Sequence, residues 1–136
     1  MNAWILLLGR ALFSIFFIMS GYNHLTKLGM MAQYAGSQGV PMPKLGVGVT
    51  GVMLLAGGFS ILLGFEPRIG ALLLVAFLVP TAIVMHRFWG VSDPMVAQNQ
   101  FIHFWKNIVM AGAALMIYYF VTVYPEAWPA SVGLGR

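Results

Sequence analysis

The chain has 136 residues, of which 60% are apolar and only 7% are charged. Soluble domains carry about 25% charged residues, so this composition excludes an ordinary water-soluble protein and indicates an integral membrane protein. The net charge of +4 arises from seven basic and three acidic residues, too few to form the basic face of a nucleic-acid-binding protein. We therefore expect membrane lipids, and no nucleic acid, among its partners.

The chain contains no cysteine. This excludes thiolate nucleophiles and thiolate-held iron–sulfur clusters on this chain.

Four apolar stretches are long enough, or nearly so, to cross a membrane as helices. They are residues 3–22, 45–64, 69–88 and 101–124. The first contains Arg10 and lacks the short apolar run and small-residue cleavage site of a signal peptide, so we expect it to be retained as a helix. The predicted fold is an all-α, four-helix transmembrane bundle that forms a single domain over residues 1–136.

The connections between these helices differ in character. Residues 23–44 are more polar and contain Gly and Pro, and we expect them to include a short amphipathic segment at the membrane interface. Residues 65–68 form a tight turn, which makes the second and third helices antiparallel neighbours. Lys and Arg are divided four to three between the two sides, so the positive-inside rule does not give the orientation.

All three histidines fall at the same end of the predicted bundle, although they are far apart in sequence. The first and third helices end there and the fourth begins there. Basic and amide side chains lie at the same end. The candidate ligand-binding residues are therefore His24, His86, Arg87, Trp89, His103, Lys106 and Asn107.

Helical spacing predicts which faces point into the bundle. In the first helix one stripe carries Arg10, Ser14, Phe17, Gly21 and His24, and in the fourth one stripe carries His103, Asn107, Met110 and Ala114. Ionisable groups in membrane helices usually face the bundle interior or water, because exposure to lipid is costly. We expect both stripes to face inward.

These residues also have structural interpretations that require no ligand. Histidine rings are stable at a membrane interface without any ligand, and Lys106 can extend towards the head groups. Arg10 either extends to the interface or forms an ion pair with Glu66. The histidines with Asp93 do not have a close metal-ligand spacing such as H-x-x-x-H, so we predict no metal site.

The same residues also suit a pocket for a small amphipathic molecule. Apolar walls with a few inward polar groups are typical of such pockets. Histidine, lysine and asparagine donors beside aromatic rings suit the head group of a quinone, and histidine could exchange protons with such a ligand. A bound lipid is the other expected occupant.

The chain resembles the DoxX family of small four-helix bacterial membrane proteins over residues 8–119. The matching motifs are Gly9-Arg10 and Ser20-Gly21, the glycines of the second helix, His86 to Trp89, and Phe104 to Asn107. The tail from residue 129 differs from the Gly-rich tail of many members. The resemblance implies a shared site at Arg10, His86, Trp89, Lys106 and Asn107, and a location in the inner membrane as a multi-pass protein.

The resemblance also implies membrane redox work, since relatives include the membrane subunit of a thiosulfate–quinone oxidoreductase and partners of detoxifying enzymes. Our leading hypothesis is a quinone- or amphipath-binding membrane subunit of a redox assembly. The alternative is a non-catalytic accessory subunit packed against a larger membrane complex, and a third is a small transporter or lipid-handling protein. Neither the residues nor the resemblance identifies a catalytic residue.

Overall fold

The computed structural model describes residues 3–132. In this part of the chain it has five α-helices and no strand. The helices are α1 (Ala3–Thr26), α2 (Leu28–Ser37), α3 (Pro43–Leu63), α4 (Pro67–Met85) and α5 (Pro94–Val123), and a 3₁₀ turn (Pro125–Ala127) follows α5. Four of them, α1, α3, α4 and α5, are long and apolar enough to cross a membrane. The prediction of an all-helical membrane protein with four long apolar helices is confirmed.

Proline marks the start of α3, α4 and α5. Pro43, Pro67 and Pro94 occupy the first turn, where their fixed φ suits a helix and no hydrogen bond is lost. Asp93 also caps α5, because its Oδ1 accepts hydrogen bonds from the backbone N–H groups of Met95 at 2.9 Å and Val96 at 3.5 Å. The helix therefore begins at residue 94 rather than at the predicted residue 101.

The end of α4 also differs from the sequence prediction. The helix stops at Met85, whereas the predicted third helix continued to residue 88. Residues beyond Met85 make tertiary contacts instead: Arg87 donates a hydrogen bond to the Gln38 carbonyl at 3.0 Å, and the Phe88 ring packs edge-on against Phe101 at 5.1 Å. These contacts set the position of the loop between α4 and α5.

Glycine allows the closest helix approaches. A Cβ atom on Gly21 of α1 would lie 2.8 Å from the Gly51 carbonyl oxygen of α3. A Cβ on Gly57 of α3 would lie 2.7 Å from the Leu74 side chain of α4. Small residues at such positions let membrane helices pack tightly. The core beside these contacts contains Phe17, Leu54, Ile61, Leu74 and Leu78, all essentially inaccessible.

The predicted inward face of α1 matches the structure. The buried residues of α1 are Arg10, Ser14, Phe17, Gly21 and His24, which is the stripe expected from helical spacing. On α5 the buried positions are Asn107, Ala111, Ala114 and Val121. Of the predicted stripe, Asn107 and Ala114 are buried and Met110 is half-buried, but His103 is exposed.

The candidate ion pair between Arg10 and Glu66 is wrong. Arg10 is 5% exposed, and its guanidinium donates hydrogen bonds to the backbone carbonyls of Leu62 at 2.9 and 2.6 Å, Ala130 at 3.1 Å and Pro129. Helix ends leave their last carbonyls without helical partners, and Arg10 takes up the one at the end of α3. Glu66 instead lies 3.8 Å from Arg68, where both side chains are partly exposed.

Candidate functional site

A cavity of about 530 Å³ lies at the end of the molecule where the three histidines meet. In the described chain α1 packs closely on α3, α3 on α4, and α4 on α5, but α1 and α5 do not pack closely against each other. The cavity occupies the space left between them, and α2 lies beside it. His24, His86 and His103 all line it.

Apolar side chains form most of the cavity wall. Phe16 and Phe17 come from α1, Phe77 and Leu78 from α4, and Met110 from α5. Pro80 also lines the wall, within α4. A largely apolar wall with a small number of polar groups is the usual composition of a small-molecule site.

His24 presents one ring nitrogen to this cavity. The residue is 9% exposed, and its Nδ1–H donates to the Ser20 carbonyl oxygen at 2.8 Å. A neutral imidazole that donates from Nδ1 has its lone pair on Nε2. The ring is held edge-on to Phe77 at 5.7 Å between centroids. His24 Nε2 is therefore a fixed acceptor, or a donor when the ring is protonated.

Asn107 is the second buried polar group of the cavity. Its side chain is 6% exposed and lines the wall. Within residues 3–132 no group forms a hydrogen bond with its amide. Among residues 3–132 the fully enclosed side-chain atoms without a partner are Ser14 Oγ and Trp128 Nε1, so the Asn107 amide reaches the open space of the cavity. An amide of this kind, facing a cavity, is suited to a hydrogen bond with a ligand or an ordered water.

A chain of hydrogen bonds connects the mouth of the cavity to α2. His86 Nδ1–H donates to Gln100 Oε1 at 3.0 Å, and Gln100 Nε2 donates to the Tyr34 hydroxyl at 3.2 Å. His103 stacks on His86 with 5.2 Å between centroids, and the Lys106 ammonium donates to His103 Nδ1 at 3.4 Å. Three elements, α2, the end of α4 and α5, thus define the positions of the polar groups at the mouth.

The pKa of His86 lies below its ordinary value. Burial is the main cause, because it disfavours the charged ring, and the nearby His103 and Lys106 add to it. The hydrogen bond to Gln100 acts in the opposite direction. His86 is therefore neutral at pH 7, which agrees with its role as a donor from Nδ1 and leaves Nε2 as an acceptor.

The sequence candidates divide into two groups in space. His24, His86, His103, Lys106 and Asn107 all line the cavity. Arg87 and Trp89 do not. Arg87 turns towards α2, and Trp89 is half-exposed within a group of aromatic rings that includes Phe88 and Phe104.

Sequence reasoning missed Gln100 and Tyr34. Gln100 lies on the same stripe of α5 as His103 and Asn107, so helical spacing would have found it if the helix had been started at Pro94. Tyr34 comes from α2, and no spacing in the sequence connects it to the histidines.

The described residues hold no cluster of three or more histidines and carboxylates arranged to bind a metal. Asp93, the acidic residue nearest these histidines in sequence, uses its carboxylate to cap α5.

Comparison with known proteins gives two matches. A family model described as DoxX matches residues 5–87. Inner membrane protein YphA of Escherichia coli (strain K12) is 34% identical over 113 residues, which cover 83% of this chain and 80% of that protein. No solved structure matches the chain.

Proposed function

The chain belongs to the DoxX family, and from this premise we propose that its cavity binds the head group of a quinone or a similar flat amphipath. In this proposal the chain is the membrane subunit of a redox assembly. It is a multi-pass protein, and the name of its Escherichia coli relative supports the inner membrane as its location.

Asn107 is the observation that carries the proposal. Asn107 is 6% exposed and lines the cavity, and no hydrogen bond within residues 3–132 reaches its amide. A quinone offers carbonyl oxygens that accept from an amide N–H, and its flat ring suits the walls formed by Phe16 and Phe77. His24 is the second buried polar residue that lines the cavity.

Proton exchange is the further role that we propose for the histidines. Reduction of a quinone takes up two electrons and two protons and gives a quinol. The chain has no cysteine and so no dithiol of its own, and in this proposal the electrons come from a redox cofactor on a partner subunit. His86 and Gln100 at the mouth offer a route for protons from water.

The short helix α2 belongs to the same proposal. Met30, Met31 and Tyr34 line the cavity, while Ala32 and Ala35 are buried against Val47 of α3. We place α2 at the membrane interface, where it covers the cavity and faces head groups on its other side. Without a quinone, we expect a lipid chain to occupy the cavity.

The test compares two asparagines of α5. Asn107 faces the cavity and Asn99 is exposed on the same helix. Isothermal titration of the purified chain with a soluble quinone analogue should give weaker binding by roughly tenfold for Asn107→Leu, because a ligand hydrogen bond in a buried site contributes about 1–2 kcal/mol. Asn99→Leu should bind like the native chain. Equal affinity of the native chain and Asn107→Leu would refute the proposal.

A second function, that of an accessory subunit, is favoured by the outer faces of the helices. Gly9 of α1 and Gly112 of α5 face outward, and an added Cβ would meet nothing within 4 Å. Such positions allow another membrane helix to approach closely. A native gel of a mild detergent extract tests this: Gly112→Leu should release the chain from its partner, and a chain that already travels alone removes this alternative.

A further inference from the structure

The cavity is asymmetric in charge. Among residues 3–132, Lys106 is the only lysine, arginine, aspartate or glutamate side chain that lines the cavity. Three histidines and Tyr34 also line the cavity, and no carboxylate from residues 3–132 does. A ligand in this site therefore meets one positive charge that no negative side chain on the wall balances.

The three acidic residues are all engaged or located elsewhere. Asp93 caps the first turn of α5, and Glu66 lies beside Arg68 at the turn before α4. Glu126 is in the 3₁₀ turn that follows α5, at the opposite end of that helix from Lys106. The sequence therefore contains no further carboxylate that could neutralise Lys106.

The contacts of Lys106 leave its charge available. Its ammonium lies 3.4 Å from His103 Nδ1 and 5.7 Å from the centre of the Phe16 ring. His103 Nδ1 accepts from the ammonium and the Phe16 ring face attracts it, and neither is an anion that would cancel its charge. Phe16 is on α1, so Lys106 extends across the space between α5 and α1 at the opening of the cavity.

We infer that the site binds its head group as an anion and that Lys106 is the residue that selects this charge. The inference rests on the proposed function, in that the cavity must bind a flat amphipathic head group. It adds the ligand class: a ring with an ionised hydroxyl, or a carboxylate of similar shape. An opposite charge near apolar walls interacts more strongly than in water, and a cationic head group is repelled for the same reason.

Two ligands with the same ring separate charge from shape. The hydroxyl of 2-hydroxy-1,4-naphthoquinone is a vinylogous carboxylic acid and is ionised at neutral pH. Its methyl ether, 2-methoxy-1,4-naphthoquinone, is neutral. Isothermal titration of the detergent-solubilised full chain at pH 7.5 should show the anion binding about tenfold more tightly than the ether, as expected for one added charge pair at a partly screened site.

Three variants assign the preference to Lys106. Lys106→Gln should lose the preference for the anion, so that it binds the anion and the ether with similar affinity. Lys106→Arg should keep the preference, because it retains the charge. Lys44→Gln removes the same charge from an exposed position at the start of α3 and should behave like the native chain.

The outcomes distinguish the charge inference from the proposed quinone site. If the native chain binds both ligands with equal affinity, the charge inference is overturned and the proposed quinone site stands. If Lys106→Gln keeps the preference, Lys106 is not the selecting residue and the inference is likewise overturned. If neither ligand binds the native chain, the proposed function fails and the inference fails with it. Circular dichroism of each variant shows that it retains its helices.

Discussion

Arg10 shows how a single charged residue is accommodated inside an apolar bundle. Its planar guanidinium has several N–H groups and meets three backbone carbonyls, and its carbon atom lies 5.2 Å from the centre of the Trp128 ring. The charge is therefore solvated by carbonyl dipoles and an aromatic face rather than by a carboxylate.

Loss of this side chain should destabilise the protein. Arg10→Met leaves the carbonyls of Leu62, Pro129 and Ala130 without their donor, and each buried group without a partner costs about 1–3 kcal/mol. We expect a clear fall in the midpoint of thermal unfolding in detergent. Arg68→Met, at an exposed arginine, should change the midpoint little. An Arg10→Met midpoint equal to that of Arg68→Met would show that the carbonyl contacts do not stabilise the fold.

His86 should make stability depend on pH. Its folded-state pKa is lowered, so the neutral ring stabilises the fold fully above the unfolded pKa of about 6.5. This contribution is lost as the pH falls through the lowered folded-state pKa. Unfolding midpoints measured from pH 7.5 to pH 5 should fall less steeply for His86→Gln than for the native chain. Equal falls in the unfolding midpoint of the two proteins would contradict the assignment of this pH dependence to His86.

Lys106 should also affect the pKa of His86. Its positive charge is one of the causes that lower the pKa of His86. Lys106→Gln should therefore raise the pKa of His86, whereas Lys44→Gln should leave it unchanged. Nuclear magnetic resonance of the labelled histidine rings measures both, and an unchanged His86 pKa in Lys106→Gln would show that Lys106 does not contribute to its lowering.

Residue positions were predictable where helical spacing continued without interruption. The inward stripe of α1 followed from the spacing of Arg10, Phe17 and His24. The pairing of Arg10 was not predictable, because its partners are backbone carbonyls, which carry no signal in the sequence. Arg87 and Trp89 were included in the site because they lie at the same predicted end of the bundle as the histidines, but neither lines the cavity.

Two glycines of α1 test helix packing at the scale of the element. Gly21→Ala puts a methyl group 2.8 Å from the Gly51 carbonyl oxygen, so α1 and α3 must separate. We expect a loss of about 1–3 kcal/mol, as for other overpacked sites. Gly9→Ala meets nothing within 4 Å and should be neutral or stabilising by up to about 1 kcal/mol, because alanine favours the helix. Thermal unfolding of both variants in one detergent gives the comparison, and equal midpoints would exclude close packing at Gly21.

Element boundaries were predictable only approximately. Apolar length located all four long helices, but the polar residues 98–100 and Pro94 suggested a loop, whereas Asp93 and Pro94 together begin a helix. Extension of α5 by two turns brings Gln100 next to His86. The omission of Gln100 from the predicted site was thus a consequence of one misplaced helix start.

The arrangement of the whole molecule predicts which residues share a side of the membrane. Four crossings place α2 and the α4–α5 loop on one side, and the turn after α5 on the other. Because the chain has no cysteine, Ser37→Cys, Ser92→Cys and Glu126→Cys each supply a single reactive thiol at an exposed position. An impermeant maleimide applied to sealed vesicles should label the first two alike and Glu126→Cys oppositely. Opposite labelling of Ser37→Cys and Ser92→Cys would contradict four crossings.

The carbonyls that hold Arg10 are synthesised at different times. Leu62 lies at the end of α3, whereas Pro129 and Ala130 follow the last long helix, α5. A nascent chain that has inserted only its first helices therefore carries a guanidinium with part of its final solvation missing. The bundle reaches its full stability only when the C-terminal segment folds back over α1 and α3, so assembly in the membrane is completed after translation has passed the last helix.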